Sequence, residues 1–222
     1  SAWLRFHFMN ILSQEREIMT KIYYLNRLFP NNNFRNEDEK IILVCDGDIY
    51  NYQELKEELT KKGHKFTTKT DSEVILHGYE EWGKNIVDKL RGMFAFAIWN
   101  KEEQELFSAR DKWGIKPYYY YENDGVFMFA SEIKAFLDHP NFKKEFNDEI
   151  LSSYLCFNSV PTEETFFKGV KRLEPGHYLI YKDGKLEIKA YHKLNYEKEE
   201  ESYEYYENLV RETLESSIEY HQ

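Results

Sequence analysis

The residues best placed to handle a polar ligand fall where apolar strands run out. Ile41, Ile42, Leu43 and Val44 lead into Cys45-Asp46-Gly47-Asp48, and Ile49-Tyr50-Asn51 then opens a helical pattern. Asp-Gly is a strong turn signal, because glycine reaches positive φ at no steric cost. The same residues would set the Gly47 backbone N–H and two carboxylates together at the rim of a sheet, which suits a small polar molecule. Arg5 stands in an alternating aromatic strand. It reads either as an edge-strand residue in solvent or as a guanidinium fork for a carboxylate. Asp71 lies where a strand gives way to a helix, so it is an N-cap beside Thr70 or a ligand group. Arg110-Asp111, at the end of another strand, reads as an ion pair or a turn. Taken one at a time, each site favours its structural role.

Other chemistries lack their signatures. Neither GxGxxG nor GxxxxGK[ST] occurs, so no phosphate-cradling loop is expected. The histidines at 7, 64, 77, 139, 177, 192 and 221 show neither HExxH nor an i,i+4 pair, and their spacing assigns no metal site. With 30 Lys+Arg against 40 Asp+Glu the formal charge is −10, which disfavours nucleic acid as a partner. No run approaches the ~18 apolar residues of a membrane span. Two cysteines, Cys45 and Cys156, make no disulfide framework, and a reducing cytoplasmic setting is expected.

The elements that must position these residues follow from periodicity. Ser1–Asn10 alternates as a strand, and 13–40 is polar and irregular, a surface loop around a short helix at Ile18–Leu28. Tyr52, Leu55 and Leu59 recur at helical spacing, with Gly63 where a C′ glycine belongs. His64–Lys69 reads as a strand. Thr70 and Glu73 stand at capping-box spacing before a helix that turns Val74, Ile75, Tyr79 and Trp82 inward. Met93–Trp99 is an unbroken apolar strand of the kind covered on both faces, followed by a hairpin partner at Glu105–Ala109. Pro117–Tyr121 with Val126–Ala130, and Gly176–Tyr181 with Lys185–Ala190, form further hairpins. Short helices are expected at Glu132–Leu137 and Asp148–Cys156. Tyr206, Leu209, Val210, Leu214 and Ile218 mark a last amphipathic helix. Hairpins beside batches of helices indicate an α+β fold.

In order, these segments resemble the glutaminase domain of glutamine-hydrolysing asparagine synthetase, a class II glutamine amidotransferase. The similarity is carried by Arg5 to Met9, DGDIYNYQELKEEL (46–59), GHKF (63–66), TDSEVILHGYEEWG (70–83) and LRGMFAFAIW (90–99). It continues through ARDKWGIKPYYY (109–120), FASEIKAF (129–136) and LEPGHYLIY (173–181). Residues 13–33 stand outside it as an insertion.

The resemblance implies an N-terminal-nucleophile (Ntn) hydrolase fold: a four-layer αββα sandwich with two mainly antiparallel sheets, here short of its first strand. It divides the chain into an amidotransferase domain at 1–195 and, at 196–222, a linker with the first helix of a synthetase domain. L-glutamine is the implied ligand. An N-terminal Cys thiol attacks its amide with its own α-amino group as base. Arg5 matches the residue that holds the α-carboxylate, and backbone groups near Phe8 and Met9 line the pocket. Positions 46–47 form the oxyanion hole, and Asp48 and Asp71 hold the α-amino group. No cofactor is implied in this domain, since ATP and Mg belong to the synthetase domain of the same polypeptide, and a homodimer is a further possible partner.

The sequence departs from the family in three places. It begins at Ser1 with no nucleophilic N-terminal Cys, and Cys45 reads as a buried strand cysteine. Asp46 stands where the family has Asn, so a carboxylate would face the developing oxyanion. Asp48 replaces Glu. The chain by itself is therefore expected not to hydrolyse glutamine. The alternative is a degenerate, non-hydrolytic module that docks beside an ATP-dependent ligase domain.

Overall fold

The computed structural model describes residues 22–24, 33–196 and 200–220. The six-stranded sheet is built on β3 (Ile41–Ile49), β4 (Gly92–Asn100) and β5 (Glu105–Arg110). It is completed by β2 (Asn33–Arg35) on one side and by β9 (His177–Lys182) with β10 (Lys185–Ala190) on the other, in the order β10-β9-β5-β4-β3-β2. All its pairings are antiparallel. The second sheet runs β1-β7-β6-β8, from β1 (Ile22–Tyr24), β7 (Val126–Ala130), β6 (Tyr119–Asn123) and β8 (Val170–Arg172). Only β1 joins it in parallel.

Period-two alternation sorts these strands into layers. On β4, Phe94, Phe96 and Ile98 face α1 (Tyr52–Lys61) and α2 (Glu73–Trp82), whose Leu55, Leu59, Val74 and Ile75 complete that core. Ala95, Ala97 and Trp99 face the other way, onto Tyr118 and onto Tyr120, Phe127 and Phe129 of the second sheet. Small alanines let the two sheets approach. Tyr121, Met128 and Ala130 point outward again, to a third core under Phe136 and Phe142. The result is an α+β sandwich of helices, sheet, sheet and an outer covering of short turns.

Local signals explain most boundaries. Helix α1 closes in a Schellman motif: Gly63 (φ +103°) donates to Thr60 O at 3.0 Å, and His64 donates to Leu59 O at 3.1 Å. Four expectations fail. Residues 22–24 are a strand, where a helix spanning 18–28 was expected, because they add to the edge of β7. Residues 64–69 form no strand, because the Glu73 carboxylate takes the N–H groups of Thr67 (2.7 Å) and Thr68 (2.8 Å) that a ladder would need. The same carboxylate is thereby lost to the capping box, and Ser72 is the N-cap of α2. The expected helix at Glu132–Leu137 is a single 3-10 turn at Ile133–Ala135. The N-terminal strand at Ser1–Asn10 lies outside the described residues.

After β10 comes α5 (Tyr203–Tyr220), numbered after two short helices, α3 (Ile86–Lys89) and α4 (Leu151–Phe157). Leu209, Val210, Leu214 and Ile218 of α5 are exposed. Its end is held by the Tyr220 hydroxyl, which donates to Glu54 Oε1 (2.5 Å), and by Arg91 over the Tyr220 ring (4.1 Å). Among the described residues no helix is long and apolar enough to cross a membrane.

Candidate functional site

The end of β3 carries the site. Gly47 has φ +153°, and a Cβ there would meet Met93 O at 2.2 Å, so only glycine fits. Gly47 lies opposite Phe94 of β4. Phe94 turns its own N–H and C=O to the β5 side, where both bond Asp111 (3.3 and 2.8 Å). Gly47 and Phe94 therefore form a non-hydrogen-bonded pair, and the Gly47 N–H points away from β4. On that side, among the described residues, β2 pairs β3 from Ile42 to Val44. Ile49, two residues on, points the same way, and its N–H is taken by Asp71 Oδ2 at 2.5 Å. Beyond Val44 this edge of β3, which has no ladder partner among the described residues, carries the Gly47 N–H and the Asp71 carboxylate.

The even-numbered residues point into the layer between the sheets, as Ile42 and Val44 do. Asp46 borders a small cleft there with Cys45, Ala95, Ala97, Tyr118 and Ser131. Its Oδ1 lies 3.1 Å from Lys116 Nζ, and both side chains are about three-quarters buried or more (20% and 26% exposed). Burial pulls Lys116 down, but the facing Asp46 carboxylate outweighs it, and the ammonium is held above its usual range. The carboxylate expected to oppose an oxyanion is thus paired with a cation.

Lys116 is aimed by a closed turn after β5. Asp111 is fully buried and accepts from the backbone N–H of Phe94, Trp113, Ile115 and Lys116. Arg110 donates to the carbonyls of Lys116 (2.7 Å), Leu173 (2.6 Å) and Gly114 (2.6 Å). The Tyr191 hydroxyl donates to Arg110 O at 2.7 Å. Asn51 fixes the other end of the rim, donating to Lys89 O and accepting from Arg91 N, both at 2.9 Å.

Asp46, Gly47, Asp48 and Asp71 are therefore brought to one strand end, whereas Arg5, Phe8 and Met9 lie outside the described residues. Asp71 bonds Ile49 rather than capping its own helix. Cys45 is buried on the helix side, and burial pushes its thiol up to about 12, against a smaller opposing effect of the Ser72 hydroxyl. It is a core residue, not a nucleophile. Sequence reasoning missed Lys116 and Asn51. Both lie in segments quoted for the resemblance, but nothing local pairs position 116 with position 46. It also missed a group of potential metal ligands, His64, His77 and Glu80, away from this rim.

The two stacked sheets, covered by helices on one side and short turns on the other, give the α+β sandwich of the Ntn-hydrolase fold. Residues 30–192 match the glutamine amidotransferase domain family, and the chain belongs to it. It is 39% identical over 163 residues to asparagine synthetase [glutamine-hydrolyzing] 3 of Bacillus subtilis (strain 168), covering 73% of this chain and 26% of that one. It is 41% identical over 186 residues to asparagine synthetase [glutamine-hydrolyzing] 1 of the same organism, covering 83% and 29%. The chain thus spans less than a third of the length of these relatives. The fold alone is also similar to that of glutamine phosphoribosylpyrophosphate amidotransferase from B. subtilis (TM-score 0.50, 24% identity, 71% of this chain and 30% of that one).

Proposed function

We propose that this domain binds L-glutamine at the β3 rim and hydrolyses its side-chain amide. In the full polypeptide the ammonia serves ATP-dependent amide formation on aspartate, as the names of its relatives suggest. The observation that carries this reading is the Gly47 N–H on an edge of β3 without a ladder partner among the described residues, two residues from the N–H held by Asp71. A developing oxyanion needs a fixed donor of this kind.

The remaining roles follow from that position. Asp48 and Asp71 receive the α-ammonium, Asp71 through Oδ1, which otherwise accepts only a 3.4 Å bond from the Ser72 hydroxyl among the described residues; Arg5 receives the α-carboxylate, and backbone near Phe8 and Met9 the side chain. The attacking group is an N-terminal Cys thiol with its α-amine as base. Residues 1–195 act as the amidotransferase domain, and 196–222 lead into the synthetase domain, where ATP and Mg are used.

Asp46 is the weak member. A side-chain oxyanion donor contributes about 10²- to 10³-fold in kcat at comparable sites, and a carboxylate cannot donate. Lys116, 3.1 Å away, neutralises the acid and restores part of that loss. Asp46→Asn in the full-length protein is expected to raise ammonia release from glutamine by about 10- to 100-fold with little change in KM. Equal rates in the two proteins would remove position 46 from the oxyanion hole. Asp46 also favours the second reading, a non-hydrolytic module beside a ligase domain. That reading stands if neither full-length protein releases ammonia from glutamine while both keep their ATP-dependent ligase activity with free ammonia.

A further inference from the structure

A second cluster lies at the junction of α1 and α2, away from the β3 rim. His77 and Glu80 share one face of α2 at i,i+3, and their Nδ1 and Oε2 are 2.8 Å apart. His64 comes from the loop that the Schellman motif fixes, and its Nδ1 lies 3.5 Å from the same Glu80 Oε2. One donor atom from each of the three residues lies within 4.8 Å of the others. Ligands about 2.0–2.1 Å from a tetrahedral zinc sit roughly 3.4 Å apart, so small rotamer adjustments close the set.

What surrounds the three residues favours a cation. Metal-bound imidazoles characteristically turn their second nitrogen to a carboxylate. Here His77 Nε2 faces Glu73 Oε1 at 3.7 Å, and His64 Nε2 faces Glu81 Oε2 at 3.4 Å. Asn36 Nδ2 donates to the remaining Glu80 oxygen at 2.8 Å. Hydrogen bonding alone leaves a defect. The His77 side chain is 3% exposed, yet its Nε2 has no hydrogen-bond partner, and the Glu73 oxygens are occupied by Thr67 and Thr68. With Nδ1 on a metal, Nε2 must carry its proton toward Glu73, and the contact becomes attractive.

Charge points the same way. Glu73, Glu80 and Glu81 bring three negative charges, and Lys62, 2.6 Å from Glu81, returns one. Glu37 adds a further negative charge that acts on His77, so the surroundings of the three residues attract a cation. Two imidazoles select a metal of the zinc class over hard cations such as magnesium or calcium, which take oxygen ligands. His64 and Glu80 are 18% and 19% exposed, which gives an entry path and room for a water as fourth ligand.

We propose that His64, His77 and Glu80 form a three-ligand site for a divalent transition metal of the zinc class. Bound there, the metal would clasp the α1–α2 connection, the segment that leads to Asp71.

The test is titration of the EDTA-stripped full-length protein with Zn²⁺ by calorimetry and with Co²⁺ by visible absorption, in a Cys156→Ser background. His64→Gln is the deciding variant, since this partly exposed side chain can change without opening the core. The expected result is one site whose Zn²⁺ affinity falls at least about 100-fold in His64→Gln, and about tenfold in Asn36→Ala. Co²⁺ should give an intense four-coordinate spectrum that His64→Gln abolishes, with metal-free melting temperature unchanged. Equal Zn²⁺ affinity in wild type and His64→Gln would overturn the proposal. So would a weak octahedral Co²⁺ spectrum, or no binding at all.

Discussion

Two strand ends of this domain carry charged residues, and they use them in opposite ways. After β5, Asp111 accepts four backbone N–H groups and Arg110 donates to three carbonyls. Both of these side chains are answered from within the backbone. At the end of β3, Asp46 is answered by the lysine Lys116, and the neighbouring Gly47 N–H lies on an edge that no strand covers among the described residues. The first arrangement specifies a shape. The second leaves a donor and acids facing outward, which is what a ligand requires. Buried charge with a full set of internal partners is evidence of structure, whereas a charge beside an open backbone donor is evidence of a site.

The sharpest way to break this contrast is Asp111→Ala. It strands four inward-facing N–H groups and leaves the Arg110 guanidinium without its neighbouring counter-charge, so unfolding free energy should fall by about 3–5 kcal/mol. Urea denaturation measures it. A loss under about 1 kcal/mol would mean that water replaces the carboxylate and that the turn is no more closed than the rim. Gly47→Ala comes next. Its Cβ at 2.2 Å from Met93 O, with φ +153°, should cost about 2–3 kcal/mol and pry β3 from β4. A neutral result would show that the strand end shifts freely and cannot hold a fixed oxyanion donor.

Cys45 tests the same boundary through pH. Burial first raises its thiol to about 12, against about 8.5 in an unfolded chain. A raised folded value means that the stabilising contribution is complete below about pH 8.5 and is lost as pH rises toward 12. Between these limits the unfolded chain binds fewer protons, so wild-type stability should fall about 1.4 kcal/mol per pH unit more steeply than that of Cys45→Ala. Parallel curves would place the thiol in water, on the ligand side of the strand.

Much of this was legible in the sequence because it is local. The unbroken apolar run of β4 announced its two-faced burial, and Gly63 the end of α1. What stayed hidden depended on distant partners. Nothing near Lys116 announces that a turn 70 residues downstream will deliver it to Asp46. Glu73 stood at capping-box spacing from Thr70, yet Thr67 and Thr68 offered its carboxylate four hydrogen bonds, and that competition erased both the box and a strand. The histidine spacing likewise concealed His64 and His77, which meet only because α1 and α2 fold back on each other.

The smallest expected effect is the most discriminating. At 3.1 Å and an effective dielectric near 20, Asp46 and Lys116 attract by roughly 5 kcal/mol before desolvation. Both side chains surrender hydration and rotamer freedom to meet, and pairs of this partly exposed kind retain about 0–1 kcal/mol. Asp46→Asn keeps an oxygen facing the ammonium and restores a donor toward the cleft. Its unfolding free energy should therefore stay within about 1 kcal/mol of wild type, while glutamine hydrolysis changes by an order of magnitude or more. A loss near that of Asp111→Ala would make the rim a second closed turn. Stability unmoved and activity shifted would separate the two strand ends by function, since the same type of residue carries the fold at one and the chemistry at the other.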